Sequence, residues 1–215
     1  MTGDDPGSVS RDSTVKFKLV PAAPDDRDAV RAAQRAVPLV PVPEDEAVAR
    51  LQRQLDAPSR DVARTWLTFL RALGLVEATD SGYRRSRVEP TPDQLREAFV
   101  SRVFTAAELL AALREADGPV DVDGAFAAVR GRVPTWERHK NPRTWADVWR
   151  DRAGDLLDWL VLLGLAERVD GGYRFAGGDT DAGTPEADGD EGGDTAGDDA
   201  DDEPSGATDG GDPRR

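Results

Sequence analysis

The chain has 215 residues, 28 of them basic and 42 acidic, for a formal net charge of -14 at pH 7, and it contains no cysteine. Without cysteine there are no disulfides and no thiolate metal sites, which fits a reducing compartment. The longest apolar run, around Trp159 to Leu163, is far too short to span a bilayer, and the acidic, polar N-terminus does not read as a signal peptide, so a soluble cytoplasmic protein with no membrane partner is expected.

Residues 1–14 are polar and acidic and are expected to be disordered. Val15 to Val20 (VKFKLV) alternates apolar and basic residues and predicts a short strand. Pro24 to Ala36 places acids first and arginines after, the order that complements a helix dipole. Val37 to Pro43 (VPLVPVP) cannot be helix, because its prolines remove donors and push their predecessors to extended geometry, so an edge strand or connector is expected. Glu44 to Leu55 predicts the next helix, with Val48, Leu51 and Leu55 on one face. Asp56-Ala57-Pro58 is a turn with proline placed to begin the following helix, Ser59 to Leu73, which Gly74 ends. A hairpin completes a first domain over residues 15–88.

A second domain is expected over residues 89–176. Thr91-Pro92-Asp93-Gln94 and Thr105-Ala106-Ala107-Glu108 both match the capping box and predict helix starts, and Gly118-Pro119 stops the second helix. Pro119 to Val122 suits a short strand and Gly124 to Val133 a short helix. Asn141-Pro142 reads as cap and first residue of a long helix to Leu163, followed by a hairpin from Leu165 to Phe175. Residues 177–215 hold almost nothing but Gly, Asp, Glu, Ala, Thr and Pro and predict a disordered acidic tail. The net charge belongs to these ends; residues 15–176 balance 25 acidic against 25 basic residues.

One motif occurs twice. Residues 59–85 (SRDVARTWLTFLRALGLVEATDSGYRR) and 149–175 (WRDRAGDLLDWLVLLGLAERVDGGYRF) are identical at 13 of 27 aligned positions, including Leu-Gly-Leu and Gly-Tyr-Arg. A helix that ends in Leu-Gly-Leu and runs into a short hairpin is the second half of a winged helix-turn-helix. The expected fold class is therefore mainly α with small β-hairpins (α+β): two winged-helix-like domains and an acidic tail, the second domain carrying an extra helix and a longer loop. Lysine is scarce, arginine and aspartate are abundant, and the tail is acidic. On these features the chain resembles tandem winged helix-turn-helix proteins of haloarchaea. The resemblance implies a non-enzymatic DNA-binding or transcription-regulatory protein. At molar salt the Debye length is only about 3 Å, so any binding must rest on close contacts.

On helical spacing Val62, Trp66, Phe69, Leu70 and Leu73 form the core face of the third helix. Arg60, Arg64, Thr68 and Arg71 lie opposite, with Leu67 at the edge, and the wing adds Arg84, Arg85 and Arg87. In a winged helix the third helix enters the major groove, so these are the expected contacts to duplex DNA, set against the plainer reading of a solvated or protein-facing surface. In the second copy Arg64 becomes Gly154, Thr68 becomes Asp158 and Arg71 becomes Val161, and Asp147, Asp151, Asp155 and Asp158 form a stripe that repels phosphates. Trp145, Val148, Trp149, Leu156, Trp159, Leu160 and Leu163 supply a core face. Leu157, Val161 and Leu162 are apolar outside it and mark a protein interface, with the first copy, another copy of the chain or a different protein.

A second basic patch, Arg130, Arg132, Arg138, Lys140 and Arg143, surrounds Trp136 and His139. It reads either as phosphate contacts with a base stacked on the ring or, preferably, as a loop anchored by a buried Trp136. No phosphate loop, nucleophile setting or metal-ligand spacing is present, so no cofactor, metal or catalytic residue is expected. The competing function is a tandem winged-helix adaptor between proteins, without DNA.

Overall fold

The computed structural model describes residues 17–87 and 89–177. The disorder expected of residues 1–14 and of the acidic tail beyond Gly177 lies outside them. The first copy is built from α1 (Arg27–Ala36), α2 (Glu44–Gln54), α3 (Arg60–Ala72), β1 (Val76–Thr79) and β2 (Gly82–Arg85). Asp26 caps α1 by accepting the Ala29 N–H at 2.8 Å, and Ser59 caps α3 by accepting the Val62 N–H at 3.2 Å. Pro58 precedes that cap rather than starting the helix. Gly74 adopts φ +74°, the left-handed conformation that ends α3 and is available to glycine at little cost. β1 and β2 pair antiparallel, Val76 opposite Arg85 and Thr79 opposite Gly82.

The second copy comprises α4 (Pro92–Arg102), α5 (Ala106–Glu115), α6 (Val122–Val129), a 3-10 turn at Arg130–Arg132, α7 (Thr135–Lys140), α8 (Trp145–Leu162), β3 (Ala166–Val169) and β4 (Gly172–Phe175). A backbone bridge shows which elements correspond. Val42 exchanges N–H and carbonyl with Tyr83 at 2.9 and 2.8 Å, and Val120 does the same with Tyr173 at 2.8 and 2.9 Å. In each copy the segment entering the second helix becomes a third, one-bridge strand beside the hairpin. The glycine before each tyrosine makes that approach possible. A Cβ on Gly82 would overlap the Val42 carbonyl, and one on Gly172 the Val120 carbonyl. Thus α1, α2 and α3 correspond to α5, α6 and α8, while α4 and α7 have no counterpart in the first copy.

Several local expectations are corrected. The strand expected at Val15–Val20 is, where described, a single parallel bridge between Phe17 and Val103, with Phe17 N–H bonded to the Arg102 carbonyl at 2.8 Å. The capping box at Thr91 forms, but the one at Thr105 does not. Thr105 sits at φ +65° and its hydroxyl turns back to the Phe104 carbonyl, because the bridge to Phe17 fixes the chain just before it. The helix expected from Gly124 begins at Val122, capped by Asp121. Asn141-Pro142 does not start the long helix. Asn141 closes α7, its carbonyl accepts the Thr144 and Trp145 N–H groups, and α8 begins at Trp145.

The buried side chains form one continuous cluster through both copies. Trp159 of α8 is fully buried at its centre, with ring centroids 4.4 Å from Phe69, 5.9 Å from Trp66 and 6.4 Å from Phe99. Its indole N–H donates to the Pro21 carbonyl at 2.7 Å, tying the N-terminal segment to the same point. Leu67, expected at the edge of the exposed face, is buried, because α3 is covered by α2, β1 and α4 as well as touched by α8. The C-terminal carbonyls of the two third helices are satisfied by arginines from elsewhere. Arg102 reaches Ala72, while Arg27 and Arg96 donate to Leu162 and Leu163 at 2.7 and 2.8 Å.

Candidate nucleic-acid interface

The exposed face of α3 meets the N-terminal end of α2. That end carries Glu44, Asp45 and Glu46, where acids complement the helix dipole. Arg60 donates to Asp45 at 2.9 Å, and Arg64 donates to Glu44 at 2.9 Å and to Asp61 at 3.1 Å. All are solvent-exposed. The hydrogen bond to Glu44 raises the Arg64 pKa further, so its charge is permanent. Tyr83 of β2 extends this group, with its hydroxyl 3.4 Å from Glu44 and its ring under the Arg71 guanidinium at 5.6 Å.

The structure therefore links Arg64 to Arg71 through Glu44 and Tyr83, and holds Arg60 beside them on Asp45, the residue next to Glu44. Thr68 is half-buried on the same helix. Arg84 is placed differently. Strand residues alternate in direction, so it lies on the hairpin face away from Tyr83, paired with Glu77 opposite it in register at 2.8 Å. Ion pairs among the described residues do not reach Arg71, Arg85 or Arg87. Sequence reasoning missed Glu44, Asp45 and Tyr83 as members of this face. Asp61, three residues before Arg64, carried a readable signal; the α2 acids did not, since no periodicity within one helix shows where the next helix crosses it.

The second copy presents a different surface. Asp158, in the position of Thr68, accepts from the Tyr173 hydroxyl at 2.6 Å and from Arg168 at 2.5 Å. That contact raises the Tyr173 pKa after the larger effect of burial. Arg150 holds Asp123 at 2.5 Å and Asp147 at 3.2 Å. Asp155 is half-buried, and burial first, then the neighbouring Asp158 and Asp151 charges, push its pKa up. Leu157 is fully buried and presents nothing to an outside partner, while Val161 and Leu162 are half-buried against the core. Val148, expected in the core face, is 42% exposed.

Trp136, expected to be buried, is 58% exposed, because the segment around it folds as the short helix α7 with its inward face taken by Glu137. Glu137 accepts from the Trp149 indole at 2.8 Å, from Lys18 at 3.3 Å and from Arg152 at 3.4 Å. The Arg130 and Arg138 guanidinium groups lie over the Trp145 ring at 5.7 and 5.2 Å, and Arg132 pairs with Glu108 at 2.8 Å. His139, Lys140 and Arg143 are exposed.

Among the described residues no helix is long and apolar enough to cross a membrane, and no group of acids and histidine is placed to hold a metal ion. No curated protein and no solved structure matches the chain. A family model, the halobacterial double winged helix domain, matches residues 15–179. Its description agrees with the two bridges at Val42–Tyr83 and Val120–Tyr173, each closing one winged helix. The chain belongs to the halobacterial double winged helix domain family.

Proposed function

We propose that this protein is a non-enzymatic, DNA-binding transcriptional regulator whose first copy contacts duplex DNA, while its second copy serves protein packing. The observation that carries the reading is the contrast between equivalent faces. The first copy gathers Arg60, Arg64 and Arg71 on α3, joined through Tyr83 to a wing that adds Arg85 and Arg87, with Arg84 on the wing's other face. The second copy has Gly154, Asp158 and Val161 at the positions of Arg64, Thr68 and Arg71. An arginine-bearing third helix and wing is the geometry by which such folds reach base edges and phosphates. Phosphates would replace Glu44 and Asp45 as partners of Arg64 and Arg60. That exchange of short contacts remains effective at high salt, where longer-range attraction is screened.

The test is binding of duplex DNA at molar potassium chloride by the full chain and by the Arg64→Glu/Arg71→Glu variant. Loss of binding in the variant supports the reading, and unchanged binding removes it. One observation favours a second reading, an adaptor between proteins. Glu44 and Asp45 already neutralise Arg64 and Arg60, so the face has no large excess of charge. A stoichiometric protein partner recovered without DNA, and lost in the same variant, would select the adaptor.

A further inference from the structure

The α7 insertion, which lies between the second and third helices of the second copy, has no counterpart in the first, where a short turn at residues 55–59 makes the same connection. It places a tryptophan in solvent, with Trp136 58% exposed. The acid of this helix is turned away. Glu137 is consumed on the inner side by Trp149, Lys18 and Arg152, and its side chain is only 14% exposed. The other charged or titratable residues of α7 are Arg138, His139 and Lys140, and Arg130, Arg132 and Arg143 flank the helix in sequence. Lys18, fixed by Glu137, lies over one side of the Trp136 ring, 5.0 Å from its centroid, which adds another cation and leaves the other side of the ring for a base.

We infer that α7 is a binding site for single-stranded nucleic acid, in which an unstacked base lies on Trp136 while Lys140, Arg143 and Arg130 hold the flanking phosphates. The flat face of an exposed indole makes no hydrogen bonds to water comparable to those of its N–H, and it accepts any base. The surrounding cations without an outward-facing acid on the helix supply the backbone contacts. Duplex DNA keeps its bases stacked and cannot offer one to the ring. The site is therefore separate from the α3 face and does not depend on the duplex reading.

The experiment is fluorescence anisotropy of a labelled oligothymidylate of about twelve nucleotides, a length within the site sizes of single-strand binders. It uses the full chain at molar and at low salt, with a duplex of the same length in parallel. Trp136→Ala is expected to weaken single-strand binding about tenfold or more, Trp136→Phe to retain most of it, and neither to change duplex binding. Lys140→Glu/Arg143→Glu is expected to weaken single-strand binding most at low salt. The Arg64→Glu/Arg71→Glu variant should leave it intact, which separates this site from the α3 face. The inference is overturned if the oligothymidylate does not bind. It is equally overturned if Trp136→Ala binds as the parent does, if Trp136→Phe loses as much as Trp136→Ala, or if Trp136→Ala weakens duplex and single strand alike.

Discussion

Arg64 of α3 donates its Nε–H to Glu44 at the start of α2, 2.9 Å away and across 20 residues of sequence. The pair is exposed on both sides. In water such a pair contributes little to stability, so its weight falls on what the face can bind. With the carboxylate present, an incoming phosphate must displace Glu44 and then remain close to it. Glu44→Gln keeps the shape and removes the repulsion. The expected outcome is a several-fold gain in duplex affinity at molar salt with an unchanged melting temperature, measured by titration and thermal denaturation. Unchanged affinity would mean that phosphates do not approach this part of α3.

Gly82 and Gly171 test the Val42–Tyr83 bridge through backbone geometry. Gly82 has φ +123° and lies against the Val42 carbonyl, whereas Gly171 has φ +84° with open space around it. Gly82→Ala combines strain with loss of the Val42–Tyr83 bridge and is expected to cost about 3 kcal/mol. Gly171→Ala meets only the left-handed penalty, about 1–2 kcal/mol. Guanidinium denaturation of both variants reads the difference, and equal losses would show that the bridge is not part of the winged-helix scaffold.

These glycines also show what was legible in the sequence. The hairpins, the capping box at Thr91 and the stop at Gly74 rest on chemistry within a few residues, which a pattern can carry. Thr105 has the same local pattern as Thr91, yet the Phe17–Val103 bridge, made by a distant segment, overrides it. The α7 helix was hidden for the same reason. Pro134 and Asn141-Pro142 bracket it as a loop would be bracketed, and its anchor, Glu137, finds Lys18 at a separation of 119 residues. The arginines of the α3 face were readable from helical spacing, but their acidic partners sit on α2, and only the helix crossing brings them there.

Trp159 joins the two copies, packed on Phe69, Trp66 and Phe99 with its indole bonded to the Pro21 carbonyl. Trp159→Ala is expected to cost about 3–5 kcal/mol, the range for removing a fully buried aromatic side chain. Because its neighbours belong to α3 and α4 as well as α8, protection against hydrogen exchange should fall in both copies together. Trp159→Phe retains much of the packing and leaves the Pro21 carbonyl without its donor, a smaller loss of about 1–3 kcal/mol. A loss of protection confined to residues of the second copy would show that the shared cluster does not couple the two.

Asp155 links stability to pH with a sign opposite to that of a salt-bridged acid. Its carboxyl is half-buried, with Asp151 and Asp158 near it, and burial followed by those charges raises its pKa in the folded state above the ordinary aspartate value. Between the unfolded and folded pKa values the folded protein binds the extra proton. Stability from this group therefore falls as pH rises through that window, and the penalty is fully present above the folded pKa. Arg168 is held by Asp158, and at the position of Asp155 the first copy has Thr65, whose hydroxyl donates to the Asp61 carbonyl. Asp155→Asn removes the ionisation and keeps the shape, so it is expected to raise the melting temperature at pH 7. Below the unfolded pKa, where the parent carboxyl is already protonated, the gain should vanish. Thermal denaturation of parent and variant across that range decides it: a gain that persisted in acid would locate the effect in packing, and no gain at pH 7 would show that the buried carboxylate carries no penalty.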